Sequence, residues 1–347
     1  MQMKRDMQGR DVPGPGPADA ARPTMKAVVR DTYGSADLLE FRDVERPTVA
    51  GDDVLVRVRA AGLDRGVWHI MTGRPYLLRL AGYGIRRPKT ATLGSDLAGV
   101  VEGAGADVTG FAPGDAVFGL GRGSLAEYAS ARPGKLARMP ANLTYEQAAA
   151  VPVSGLTALQ SLRDRARIQA GQHALIIGAS GGVGTFAVQI AKAFGAEVTG
   201  VCSTAKTGLV RSVGADHVID YTVGDISDGN RRYDVVLDIG GNTPLTTLRR
   251  VLASKGTLVI VGGEGGGRWF GGIDRQLRAT ALSPFVGQRL GTFIASENSK
   301  DLDTLRTLIE DGAVIPVIDR VCSLPEVPDA MRDLEAGHVG GKVVAAI

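Results

Sequence analysis

The stretch Leu175-Ile176-Ile177-Gly178-Ala179-Ser180-Gly181-Gly182-Val183-Gly184 passes from an apolar run into glycines, and a helix-patterned segment at 185–194 follows directly. A buried parallel strand, a tight turn and a helix N-terminus with free N–H groups are the parts of a nucleotide diphosphate cradle. With Ala179 in the first glycine's place, the fingerprint reads Ala179-x-Gly181-x-x-Gly184. Gly181 would let the backbone approach a pyrophosphate, and Gly184 would let the helix pack closely on the strand. Gly182 and Val183, inside the same turn, are further contact candidates. Among 48 glycines, spacing alone means little, but strand, helix and a second strand at 197–203 come in the right order.

The chain of 347 residues, 44% hydrophobic and 22% charged, has the composition of an ordinary globular protein of two domains. Its net charge of +3 is small, and basic pairs such as Arg86-Arg87 and Arg231-Arg232 never extend into a run. Nothing therefore asks for a nucleic-acid partner. No apolar stretch approaches the roughly 20 residues that span a bilayer. Residues 1–24 are rich in Pro, Gly and charge and lack the apolar core of a secretory signal, so a disordered extension is expected, with Met25 a candidate natural start. With only Cys202 and Cys322, no disulfide framework is expected, and a reducing cytoplasm fits best.

Residues 25–150 have a β-rich texture, with strand-like runs at 26–30, 54–60, 99–102 and 126–130 punctuated by Gly and Pro. The texture changes near Thr144-Tyr145-Glu146-Gln147, which resembles a capping box, and residues 154–165 show helical periodicity. Strands at 173–178, 197–203, 217–220, 234–239, 257–261 and 289–295 then alternate with helices. This alternation predicts an α/β fold with a doubly wound parallel sheet over residues 151–314. The tail, residues 315–347, contains a further strand at 342–346 that is expected to return to the first domain. The glycine-dense 262–272 segment, ending near Trp269-Phe270, reads as a loop at the carboxyl edge of the sheet.

A site selective for NAD places Asp or Glu about 20 residues beyond the glycines to bind the ribose 2′-hydroxyl. Here the chain reads Val201-Cys202-Ser203-Thr204-Ala205-Lys206, with no acid. Hydroxyls of Ser203 and Thr204 and the Lys206 ammonium would instead bind a 2′-phosphate. Tyr221, ending the third strand, could add another hydroxyl. NADPH is the expected cofactor.

Seven segments together resemble the medium-chain dehydrogenase/reductase superfamily: Ala60-Ala61-Gly62-Leu63-Asp64, Leu93-Gly94-Ser95-Asp96-Leu97-Ala98-Gly99-Val100-Val101, Gly114-Asp115-Ala116-Val117-Phe118, Gly155-Leu156-Thr157-Ala158, the glycine fingerprint, Val213-Gly214-Ala215-Asp216 and Gly341-Lys342-Val343-Val344. Within it the chain is similar to the zinc-independent quinone oxidoreductase branch, whose members reduce quinones or the double bond of α,β-unsaturated carbonyls with NADPH. The resemblance implies a GroES-like β-rich catalytic domain, residues 25–150 and 315–347, beside a Rossmann domain. It also implies a small-molecule substrate and admits a homodimer. Where the alcohol dehydrogenase branch carries Gly-His-Glu, this chain has Gly94-Ser95-Asp96, and Asp64 stands where that branch has its first cysteine ligand. No cysteine precedes Cys202, and the histidines at 69, 173, 217 and 338 match no ligand spacing, so no metal is expected. Without a Lewis acid, conjugated acceptors are favoured, because their own oxygen takes the developing charge.

The branch carries an Asn followed five residues later by a Tyr in its cleft-facing loop; the corresponding residues are Asp64 and His69. His69 is the candidate proton donor to an enolate or quinol oxygen, and structural packing beside Trp68 is the alternative. Asp64 is a candidate for a ribose hydroxyl or for its own loop. Trp68, Tyr76 and Tyr83 are candidates to wall an apolar substrate pocket, and the 76–89 insertion is a candidate cover. Thr157 resembles a position near the nicotinamide. Gly262-Gly263-Glu264 and Pro284-Phe285-Val286 resemble segments flanking it, and residues 238–242 would lie toward the adenine ribose. Lys342 is read either as reaching the phosphates or as a surface lysine. Cys202, inside a strand pattern, reads as a buried small residue. The functional expectation is an NADPH-dependent, zinc-independent reductase of quinones or enones. An alcohol or aldehyde oxidoreductase of the same fold and a non-catalytic, crystallin-like NADPH-binding protein remain the alternatives.

Overall fold

The computed structural model describes residues 22–229, 231–263, 267 and 269–347. The expected extension up to residue 21, and Glu264 in the glycine-dense segment, lie outside the described residues. The boundary at 24 shifts slightly, because Thr24 already pairs with Glu45 in the first ribbon.

That ribbon consists of β1 (Thr24–Val29) and β2 (Glu40–Glu45), paired antiparallel. The first lobe continues through β3 (Val54–Leu63), α1 (Arg65–Thr72), β4 (Asp96–Ala104), β5 (Ala116–Leu120), β6 (Tyr128–Ala131) and β7 (Leu136–Arg138). Two helices lead out of it, α2 (Tyr145–Ala149) and α3 (Pro152–Gln160). The Thr144 side chain accepts from the Gln147 amide and Gln147 reaches back to Thr144, forming the expected capping box. The helical segment expected at 154–165 is continuous, α3 widening at Ser161 into a π-helical turn that runs to Ala166.

The second lobe holds β8 (His173–Ile177), α4 (Gly182–Ala193), β9 (Glu197–Cys202), α5 (Thr207–Ser212), β10 (His217–Asp220) and β11 (Tyr233–Asp238). It continues with α6 (Leu245–Val251), β12 (Leu252–Ile260), α7 (Ile273–Leu282), β13 (Arg289–Thr292) and α8 (Ser299–Glu310). The six strands are all parallel, in the order β10-β9-β8-β11-β12-β13. The order reverses between β8 and β11, which opens the crevice where doubly wound sheets bind ligands.

The apolar run of β8 follows from burial on both faces. Ala174 and Ile176 pack into one core cluster, while Leu175 and Ile177 pack into the cluster on the other face. Leu175 and Ile176 are fully buried, so truncation of either to Ala is expected to cost about 2–5 kcal/mol.

The chain then forms β14 (Ile318–Ser323), α9 (Val327–Glu335) and β15 (Lys342–Ala346). β15 lies antiparallel on β3, completing a sheet of order β14-β15-β3-β4-β5-β7 with β6 also paired to β3. The entry to β15 is stitched to the glycine turn of the second lobe, since the Gly341 amide donates to the Ser180 carbonyl at 2.8 Å.

Candidate active site

A cavity of about 1280 Å³ runs along the carboxyl edge of the parallel sheet, between the lobes. One end is lined by Asp64, His69 and Thr157, and the glycine turn lines the middle. Ser203, Lys206 and Tyr221 lie on the wall that follows β9 and β10.

At the turn, Gly178 takes φ +83°, a conformation open to glycine. The tight-turn role therefore falls on Gly178, which the fingerprint alignment passed over. Ala179 is corrected: it is fully buried under the turn, its amide donates to the Val201 carbonyl at 3.0 Å, and it does not line the cavity. Gly181 is the N-cap of α4 and no side chain caps it, leaving first-turn amides of Gly182 and Val183 toward the cleft. Gly184 does not line the cavity but acts where the spacing placed it. A Cβ there would sit 2.1 Å from the Gly178 carbonyl oxygen and 2.7 Å from Ala179, so only glycine lets α4 approach β8 this closely. Bare backbone amides at a helix N-terminus beneath an elongated cleft fit a dinucleotide pyrophosphate.

Lys206 reaches the cleft and donates to the carbonyls of Gly337 at 3.0 Å and Val339 at 2.7 Å. The loop at 337–339 is thus part of the cleft wall. Sequence reading missed it because its link to Lys206 spans more than 130 residues without a local signal. Thr204 is corrected: its hydroxyl pairs with Thr222 at 2.7 Å and it does not line the cavity. Cys202 is buried, and burial raises its thiol pKa, as suits an inert packing residue.

Gly262 and Gly263 line the cleft, following β12. Pro284, Phe285 and Val286 do not, and their expected role is corrected. They precede β13, at the amino edge of a sheet whose cleft lies at the carboxyl edge, and Phe285 is exposed to 84%. Applied to β13, the carboxyl-edge rule points instead to the residues after Thr292.

At the other end, Asp64 caps α1, its Oδ1 accepting from the Val67 amide at 3.0 Å. His69 lies one turn further along α1, and its Nδ1–H donates to the Arg74 carbonyl at 2.8 Å. That bond orients the ring, so proton donation toward the cleft would use Nε2 of the imidazolium. Trp68 is corrected as a cavity wall: it packs on the first lobe's core, its ring 5.1 Å from that of His69 and nearly perpendicular to it. Tyr76 and Tyr83 are likewise absent from the cavity lining, as is every residue of 76–89. The Tyr83 carbonyl accepts from the Tyr33 hydroxyl at 2.8 Å, while Tyr76 stacks edge-on against Trp269 at 5.2 Å. Thr157 lines the cleft and donates to the Val153 carbonyl at 2.6 Å.

Lys342 is not a surface lysine. Its side chain is 1% exposed, and its Nζ lies 3.2 Å from Asp96 and 3.6 Å from Asp64. Burial, reinforced by the Asp64 carboxylate, pushes Asp96 up to about 7 against the pull of Lys342. Burial works to lower the Lys342 pKa, but the two carboxylates outweigh it and raise it. The two carboxylates that stand near metal-ligand positions of the resembling branch thus close on an ammonium.

Residues 50–141 match the family model described as the alcohol dehydrogenase GroES-like domain, and residues 213–344 match the one described as zinc-binding dehydrogenase. The chain is 33% identical to mouse (Mus musculus) NAD(P)H oxidoreductase RTN4IP1, mitochondrial, covering 94% of this chain and 91% of that protein. It is 34% identical to the chloroplastic NADPH-dependent alkenal/one oxidoreductase of Arabidopsis thaliana, covering 94% and 81%. The quinone oxidoreductase structure from Coxiella burnetii superposes with a TM-score of 0.81 at 26% identity, covering 94% of this chain and 100% of that one.

Proposed function

The chain belongs to the medium-chain dehydrogenase/reductase superfamily, in its quinone oxidoreductase-like branch, and on that premise we propose that it is an NADPH-dependent, zinc-independent reductase of quinones or α,β-unsaturated carbonyls. The observation that carries this reading is the single cleft that joins the α4 glycine turn to the His69 end of the first lobe. When bound, NADPH supplies a hydride.

The chain's own residues do the rest. The first-turn amides of α4 hold the phosphates, and Lys206 answers the extra negative charge of a 2′-phosphate. No acid stands between Val201 and Lys206 to repel that group, and the Asp220 carboxylate ending β10 is engaged by the Thr222 amide at 2.9 Å and hydroxyl at 2.7 Å. Thr157 and Asp64 shape the far end of the cleft. His69 donates a proton to the acceptor oxygen from Nε2 while Arg74 fixes the ring.

Independence from zinc is supported by the donor chemistry. Asp64 and Asp96 are hard oxygen donors rather than the sulfur and nitrogen that favour zinc, and both are paired with the Lys342 ammonium. Among the described residues, no helix is long and apolar enough to cross a membrane. A cytoplasmic location and a homodimer belong to the same proposal. Two buried free cysteines support a reducing compartment, while relatives carry mitochondrial and chloroplastic names; sedimentation checks the dimer.

The test is oxidation of NADPH and of NADH against a panel of quinones, enones, aldehydes and saturated ketones. Turnover on quinones or enones with preference for NADPH is expected. Turnover confined to aldehydes would replace the acceptor class, equal affinity for the two cofactors would defeat the 2′-phosphate argument, and tight NADPH binding with no turnover would favour a binding protein.

A further inference from the structure

Two loops at the carboxyl edge wall the cofactor cleft. One follows β11 and contributes Gly240, Asn242 and Thr243; the other follows β12 and contributes Gly262 and Gly263. Loops of this kind are held only by what reaches them. Both loops are reached by Arg275, in the first turn of α7, whose side chain is 14% exposed. Its Nη1 donates to Asp238 Oδ2 at 2.5 Å and to the Thr243 carbonyl at 2.7 Å, and its Nη2 donates to the Gly262 carbonyl at 3.3 Å.

Asp238, the last residue of β11, is fully buried and extends the same lattice. Its Oδ1 accepts from the Gly241 amide at 3.1 Å, and its own carbonyl accepts from the amides of Val261 at 2.9 Å and Gly262 at 3.2 Å. One guanidinium thus touches a carbonyl in each loop, and its carboxylate partner fixes an amide of the first. Neither Arg275 nor Asp238 lines the cofactor cavity. A buried ion pair contributes little net stability relative to an apolar replacement, so its value lies in the geometry it imposes.

We infer that Arg275, locked by Asp238, is a positioning residue that sets both carboxyl-edge loops at the spacing required to bind NADPH. The inference rests on the reading of the cleft as the NADPH site. It assigns the loops' geometry to a side chain in a helix outside the glycine fingerprint. Lysine at 275 could still meet Asp238, but it lacks the planar fork that spans two carbonyls at once.

The experiment measures the NADPH dissociation constant by fluorescence titration, together with kcat and the KM for NADPH, in the wild type, Arg275→Met, Arg275→Lys and Asp238→Asn. Thermal melting is recorded alongside. Arg275→Met is expected to raise both the dissociation constant and KM by at least about tenfold while kcat at saturating NADPH stays within about threefold, the pattern of lost uniform binding. Arg275→Lys is expected to recover part of the affinity. If Arg275→Met does not fold, Arg275→Lys and Asp238→Asn carry the test through the same affinity measurement. Folded variants that melt earlier but bind NADPH as the wild type does would overturn the inference, reducing the pair to structural support. Failure of the wild type itself to bind NADPH would overturn the cleft reading, and the inference with it.

Discussion

At the level of single residues, the proposed chemistry concentrates at the His69 end of the cleft. The Arg74 carbonyl fixes the Nδ1 side of the imidazole and Trp68 packs against the ring edge, so His69 is oriented by neighbours that do not line the cavity. His69→Phe keeps a ring of similar size but has no proton to give. It is expected to lower turnover at least about tenfold while leaving the NADPH dissociation constant unchanged; full activity would remove His69 from proton transfer. Asp96 provides a second readout, through stability. Its folded-state pKa is raised to about 7, above its ordinary value. Its contribution to stability is therefore fully present below the ordinary carboxylate range and lost as pH rises through about 7. Melting temperature should decline from about pH 5 to about pH 8, and Asp96→Asn should flatten that decline. An identical slope in the variant would place the titration elsewhere.

At the level of elements, the βα unit around the glycine turn was the most legible part of the sequence. Its strand is buried on both faces and its helix carries a long apolar stripe, so both patterns are strong over consecutive residues. Gly184→Ala tests the unit: a Cβ within 2.1 Å of the Gly178 carbonyl oxygen must push α4 off β8. A loss of about 1–3 kcal/mol is expected, with weakened NADPH binding; wild-type melting and affinity would contradict the packing role. Less legible were β2 (EFRDVE), four of whose six residues are charged and which is exposed along much of its length, and the very short β7. The 284–286 segment was misplaced because resemblance was followed over topology, although the strand at 289 sets which edge of the sheet those residues occupy. Lys342 lines the cleft, and only its surface alternative fails, because a terminal lysine carries no sign of burial; the pairing of β15 with β3 brings it to Asp64 and Asp96. Arg275 gave no signal for the same reason, its partners being brought to it by the order of the sheet.

At the level of the whole molecule, the two lobes are joined at the cleft. Gly341 meets the glycine turn, Lys206 reaches the 337–339 loop, and Tyr76 of the first lobe stacks on Trp269 of the second. The walls of the cleft therefore come from both lobes, the second supplying the α4 amides proposed for the phosphates and the first supplying His69. On the proposed reading, such an architecture transfers hydride by positioning the donor and acceptor and by protonating the acceptor oxygen, with the Lys342 ammonium between Asp64 and Asp96. The most direct measurement is transfer of deuterium from the reactive C4 position of labelled NADPH to an enone, followed by mass spectrometry after exhaustive treatment with a zinc chelator. The account predicts deuterium at the enone β-carbon and a rate unchanged by chelation. Loss of the reaction on chelation with recovery on adding zinc, or product without the label, would contradict it.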